Sequence, residues 1–122
     1  MSNDSNAPAF ELLDIPVDIG IICSNSIYDF CNEFVREMES FGISTYIINE
    51  KSTIKANLYV ILANPNFSVN KPEGKCLLVL LDGTNISDYS EFEYAFARLT
   101  TSRELKDAQC LAQNIFLLIL SK

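Results

Sequence analysis

Two stretches of this sequence hold side chains that could do chemistry. The first is Cys23-Ser24-Asn25-Ser26, a turn between an apolar run and an amphipathic one. A thiol and two hydroxyls beyond a strand's carboxyl end, at a helix N-terminus, lie where α/β proteins hold anions. Yet the turn has no glycine, and neither G-x-G-x-x-G nor G-x-x-x-x-G-K-[ST] occurs in the chain. Phosphate cradles need such glycines so that several amides can converge without a Cβ between them. A pyrophosphate site is therefore disfavoured. The turn is expected to be a capped connection, with a lone anion as the alternative. The second stretch carries Asp82, Asp88, Glu91 and Glu93 just after an apolar run. These acids could hold a divalent cation or supply a carboxylate nucleophile, or they could simply meet the positive end of a helix. There is no histidine, so acid–base catalysis would fall to carboxylates, thiols or lysines.

Composition narrows the classes further. Cysteines stand at 23, 31, 76 and 110, with no C-x-x-C pair and no histidine to complete a zinc site. Cys23, Cys31 and Cys76 fall within apolar strands or helix faces and Cys110 borders one, the pattern of small core residues in a reducing compartment. A cytoplasmic or nuclear location is expected. The opening "MSNDSNAPAF" lacks the basic start and apolar core of a secretory signal. The longest apolar run, Ile115 to Leu120, is too short to span a bilayer. Neither cofactor nor metal nor membrane is expected as a ligand.

The net charge of −7 is uneven: residues 1–50 hold nine acids against Arg36 alone, and residues 51–122 hold seven acids and eight bases. Such a surface repels phosphate backbones, so nucleic acid is expected to be bound indirectly or weakly, through Lys51, Lys55, Lys71 and Lys75 in the middle loops.

The elements that must position these groups follow from periodicity. At 122 residues the chain suits one domain, with residues 1–13 a tail whose apolar end (Phe10, Leu12, Leu13) is free to dock, and 14–122 a single α/β domain. Pro16 opens a strand over 17–23, continuously apolar as a central strand should be. Ser26 is the expected N-cap of a helix carrying Ile27, Phe30, Cys31, Phe34, Val35, Met38 and Phe41 on one stripe. Gly42 is its expected left-handed stop, with apolar Ile43 after it. A second strand over 44–48 and a third over 57–63 follow. The eight intervening residues are few for a parallel crossover, so either a one-turn helix lies near 52–55 or the third strand runs antiparallel. A long loop over 64–75 leads to a fourth strand over 76–81. Tyr89, Phe92, Phe96 and Leu99 then suggest a helix, and "TSRE" at 101–104 a capping box on Thr101. A last amphipathic helix runs through Leu105, Ala108, Leu111, Ala112, Ile115, Phe116 and Ile119.

Two resemblances bear on function. "LLDGTNISDYSEFEYAFARL" resembles the part of nucleoside deoxyribosyltransferases in which an aspartate-glycine strand end precedes a helix bearing the nucleophilic glutamate. That resemblance implies an enzyme with Glu93 as nucleophile. "IPVDIGIICSNSIYDFCNEFVREMESFGISTYIIN", with "LYVILANPNFSVNKPEGKCLLVLL", resembles the anticodon-binding domain of class II aminoacyl-tRNA synthetases and the related domain of nuclear receptor coactivators. It implies a non-catalytic α/β module that holds another protein, within an RNA-processing or nuclear assembly.

The leading expectation is a three-layer α/β sandwich with a four- to five-stranded, mostly parallel or mixed sheet and helices on both faces. It acts as a protein-interaction module or adaptor, through another subunit or self-association. Phe67, Val69, Ile115, Phe116 and Ile119 are its expected contact residues. The Glu93 enzyme is the alternative.

Overall fold

The computed structural model describes residues 16–48, 55–65, 67, 71–92, 95 and 97–121. Five strands form one sheet: β1 (Val17–Ile22), β2 (Thr45–Ile47), β3 (Ala56–Ala63), β4 (Cys76–Leu81) and β5 (Ala97–Thr101). Their order is β2-β1-β3-β4-β5, and every neighbouring pair is parallel. The α/β expectation holds, and the mixed alternative resolves to parallel throughout. In particular β3 runs parallel to β1, with Ile19 opposite Leu58 and Ile21 opposite Val60. The antiparallel option for β3 is thereby corrected, while the one-turn helix near 52–55 falls outside the described residues apart from Lys55.

Strand alternation sorts the core into two layers. Ile19, Ile21, Leu58, Val60, Leu62, Leu77, Val79 and Leu81 face α1 (Tyr28–Ser40) and α2 (Leu105–Leu120), and the cluster they make is closed to solvent. On the other face Ile61, Ala63, Cys76 and Leu78 pack under Tyr89 and Phe92 of a 3-10 segment, Ile86–Phe92. Gly20 lies on that second face, where the Ile48 side chain occupies the place a Cβ would need. Reciprocal bonds fix the start of β1 against the approach to β2: the Asp18 amide donates to Ser44 Oγ (2.9 Å), and the Ser44 amide to Asp18 Oδ2 (3.0 Å).

The stop of α1 is the one expected. Gly42 has φ +82, its amide donates to the Glu39 carbonyl (3.0 Å), and the Ile43 amide donates to the Met38 carbonyl (3.2 Å). This pair of bonds around a left-handed residue is the Schellman arrangement. The start differs. A 3-10 turn, Asn25–Ile27, precedes α1, and no side chain caps either element. Ser26 is no cap because it lies inside that turn, and Ile27 holds the N-cap position of α1.

Two further expectations are corrected. Residues 97–101 form an edge strand, not the end of a helix through Phe92 and Leu99. Leu99 fits a helical stripe with Phe92 and Phe96 and an alternating one with Ala97, and the open ladder of β4 decides between them, helped by the β-branched Thr100 and Thr101. With Thr101 in that strand, α2 starts three residues later than a Thr101 cap requires. Glu104 is the N-cap position without a side-chain bond, while Ser102 Oγ donates to Asp107 and accepts from the Glu104 amide (3.2 Å).

Along their solvent side α1 and α2 are joined by Gln109 Nε2 to Glu33 Oε2 (2.9 Å) and Gln113 Nε2 to Glu37 Oε2 (3.4 Å). Gly42 offers a clean test of the α1 stop, since no atom lies within 4 Å of an added Cβ. Gly42→Ala should cost about 1–2 kcal/mol from the left-handed backbone alone, read as a lower urea midpoint at unchanged slope.

Candidate functional site

The strand order turns back between β1 and β3, and the loops leaving the carboxyl ends of these two strands meet at that switch point, where open parallel sheets hold ligands. Ser24 and Ser26 come from the β1 side and Asn64 from the β3 side. Their polar atoms bond to each other. The serine hydroxyls lie 2.7 Å apart, and Asn64 Nδ2 donates to Ser26 Oγ (2.9 Å) and to Ser24 Oγ (3.2 Å). Asn64 is 5% exposed, and its Oδ1 is buried without a hydrogen-bond partner among the described residues. Ser26 belongs to this cluster from within the 3-10 turn, while Ile27 occupies the N-cap position of α1. Chemically the cluster joins loops. The hydroxyls bond to one another and to an amide, and among the described residues neither serine is hydrogen-bonded to a group that could take its proton.

The same rim is tied to the 3-10 segment by Tyr89. Its hydroxyl accepts from the Asn64 amide (3.2 Å) and lies within donating distance of the Phe67 carbonyl (2.6 Å) and the Asn64 carbonyl (3.0 Å). Burial pushes the Tyr89 phenol up from its ordinary pKa, against a lowering contribution from the Asn64 backbone. The hydroxyl therefore stays protonated and keeps its role as donor. Thr84 Oγ1 donates to the Ala63 carbonyl (3.1 Å) and Arg103 Nη2 to the Asp82 carbonyl (2.7 Å), closing the rim over β3 and β4.

Of the acids, Asp82 and Asp88 are exposed on this side of the sheet. Glu93 lies outside the described residues, as does the side chain of Glu91. Among the described residues no group of three histidine, cysteine or acidic side chains is placed to hold a metal ion.

The opposite rim has another character. α2 begins beside the carboxyl ends of the strands and returns to their amino ends, where its last turns wall an apolar groove of about 340 Å³. Ile43 and Leu58 line it with Phe116, Ile119 and Leu120, and Asp18 and Lys75 bring opposite charges to it. Phe116 stacks on Phe41 with ring centroids 4.5 Å apart and planes 20° from parallel. Leu117 and Leu120 are 62% and 64% exposed.

The expected contact residues divide between these places. Phe116 and Ile119 stand together at the groove, both half-buried. Ile115 is a correction: it has no exposed surface and belongs to the core under α2, because it continues the stripe of Ala108, Leu111 and Ala112. Phe67 is half-buried at the other rim, its carbonyl held by Tyr89, and Val69 lies outside the described residues. Leu117 and Leu120 were not among the expected contact residues, although their signal was present. They fall off the helical stripe that buries Ile115, so an apolar residue there has to face outward.

No protein family, curated protein or solved structure matches the chain.

Removing the Tyr89 hydroxyl should show how far the polar rim is structural. Tyr89→Phe leaves the buried Asn64 amide without its acceptor and should cost about 1–3 kcal/mol, measured by chemical denaturation. A change within a few tenths would mean that the rim is not held this way.

Proposed function

We propose that this chain is a non-catalytic interaction module that engages another protein subunit, or a second copy of itself, through the end of α2 and the groove beside it. The observation that carries the reading is the pair Leu117 and Leu120, each more than 60% exposed next to an apolar groove. Covering a leucine fully is worth about 1.5–3 kcal/mol, so two exposed leucines beside a depression offer the anchor-and-pocket pattern on which binding energy concentrates. The mode that fits is an apolar helix face or loop seated in the groove, its charged flanks meeting Asp18 and Lys75.

The polar rim favours the same reading, since its hydroxyls and amides are engaged with each other and, among the described residues, none is paired with a base. The setting is a nuclear or cytoplasmic assembly in which the chain is an adaptor or subunit. Any nucleic acid in it is reached through the partner, because a chain of net charge −7 repels phosphate backbones. Among the described residues no helix is long and apolar enough to cross a membrane.

Sedimentation and affinity capture test the proposal. The chain should run larger than its 13.7 kDa or retain one stoichiometric protein. Leu117→Lys with Leu120→Lys should abolish that association at an unchanged unfolding midpoint, because both side chains are exposed and lysine suits the negative end of a helix. A monomer that retains nothing, or a double variant that associates as before, refutes it.

A further inference from the structure

The sheet ends in two edges that differ in length and in guard. β2, at one end, is three residues long, and its Thr45 is buried. β5, at the other, runs five residues in unbroken register with β4 and contains neither proline nor bulge. Short strands, prolines, bulges and rows of lysine are what keep an edge from pairing with another chain. β5 has only Arg98.

The ladder fixes which backbone groups of β5 are open. The Asp82 amide donates to the Thr101 carbonyl (3.1 Å), so Thr101 turns its backbone groups toward β4. Alternation along the strand turns those of Leu99 and Ala97 the same way, and those of Arg98 and Thr100 outward. Among the described residues no hydrogen bond reaches the outward amides and carbonyls. Arg98 and Thr100 are exposed, whereas Ala97 and Leu99 are half-buried against the helix-covered core.

The open positions lie symmetrically about Leu99, and that symmetry picks the occupant. A two-fold axis sets two copies of one edge antiparallel. Residues with outward groups then exchange both bonds with the residue opposite. An axis through Leu99 places Arg98 opposite Thr100 of the second copy, and Thr100 opposite its Arg98, so every outward group is satisfied. The two Leu99 side chains meet as a non-hydrogen-bonded pair, the closer kind, with Cα atoms about 4.5 Å apart. Neighbouring axes fail. One through Arg98 sets two arginines face to face, which is destabilising. One through Thr100 needs Ser102, which has left the strand and is bonded to Asp107 and to the Glu104 amide.

We infer that the β5 edge is a dimer interface: two copies join β5 to β5, antiparallel about Leu99, in one continuous ten-stranded sheet. The surface is separate from the apolar groove, which no residue of β5 lines. Leu117→Lys with Leu120→Lys therefore removes what the groove holds and leaves the pair. An unchanged pair in that double variant counts against the groove and for the edge.

Sedimentation equilibrium of the full chain carrying those two substitutions tests the edge alone. It should give about twice 13.7 kDa. In the wild type the Arg98 and Thr100 amides should exchange slowly with deuterium at high protein concentration and faster on dilution. Thr100→Pro removes an outward N–H without touching the β4 ladder, and should give a folded monomer. Thr100→Arg sets like charges opposite each other at two places, and should raise the dissociation constant about 2- to 30-fold. Adding Arg98→Glu sets opposite charges there and should restore the pairing. The inference is overturned by a 13.7 kDa monomer whose Arg98 and Thr100 amides exchange fast at every concentration. A pair that survives Thr100→Pro, or that the charge swap does not restore, overturns it as well, and so does a chain that stays monomeric while its β5 edge takes up a different protein. The exchange measurement on the wild type decides even if a variant fails to fold.

Discussion

Parallel pairing along the whole sheet governs what each end of this molecule can be. When every strand points the same way, each connection must carry the chain back past the sheet before the next strand begins. All strand ends therefore gather at one rim and all strand starts at the other. Ser24, Asn64, Asp82 and Ser102 follow strand ends, while Ser44, Lys55 and Lys75 precede strand starts. The last helix obeys the same rule. It leaves β5 at the first rim and must finish at the second, which delivers Phe116 to Leu120 beside Asp18 and Lys75.

The two rims are chemically opposed as a result. At the carboxyl side short polar side chains bond across loops far apart in sequence, so that Ser24, Ser26, Asn64, Thr84 and Tyr89 lock the switch point. That closure engages these hydroxyls with each other and with backbone carbonyls, while Asn64 Oδ1 is buried without a partner among the described residues. At the amino side the lining is mainly carbon, with one charge of each sign.

Much of the first half was legible because its signals are local. The apolar run of β1, the stripe of α1 and the glycine stop at 42 each depend on neighbours within a few residues, and they fold as their spacing requires. β5 was not legible for the opposite reason: Leu99 serves two periodicities, and a nonlocal partner, β4, chooses between them. Ser26 has the side chain of a cap, yet it lies inside a 3-10 turn and bonds Asn64, thirty-eight positions away. The grouping of contact residues failed in the same way. Nothing in the spacing tells that Phe67 and Phe116 belong to opposite rims, whereas the burial of Ile115 and the exposure of Leu117 could both be drawn from one helical wheel.

The two glutamine–glutamate rungs between α1 and α2 join residues 76 positions apart. Bringing such distant segments together spends chain entropy before the contact returns any enthalpy. The strand-helix-strand unit at the front can nucleate by itself. The layer above the sheet cannot be sealed until the rear helix arrives, which places the folding of this small chain on the slow side for its size.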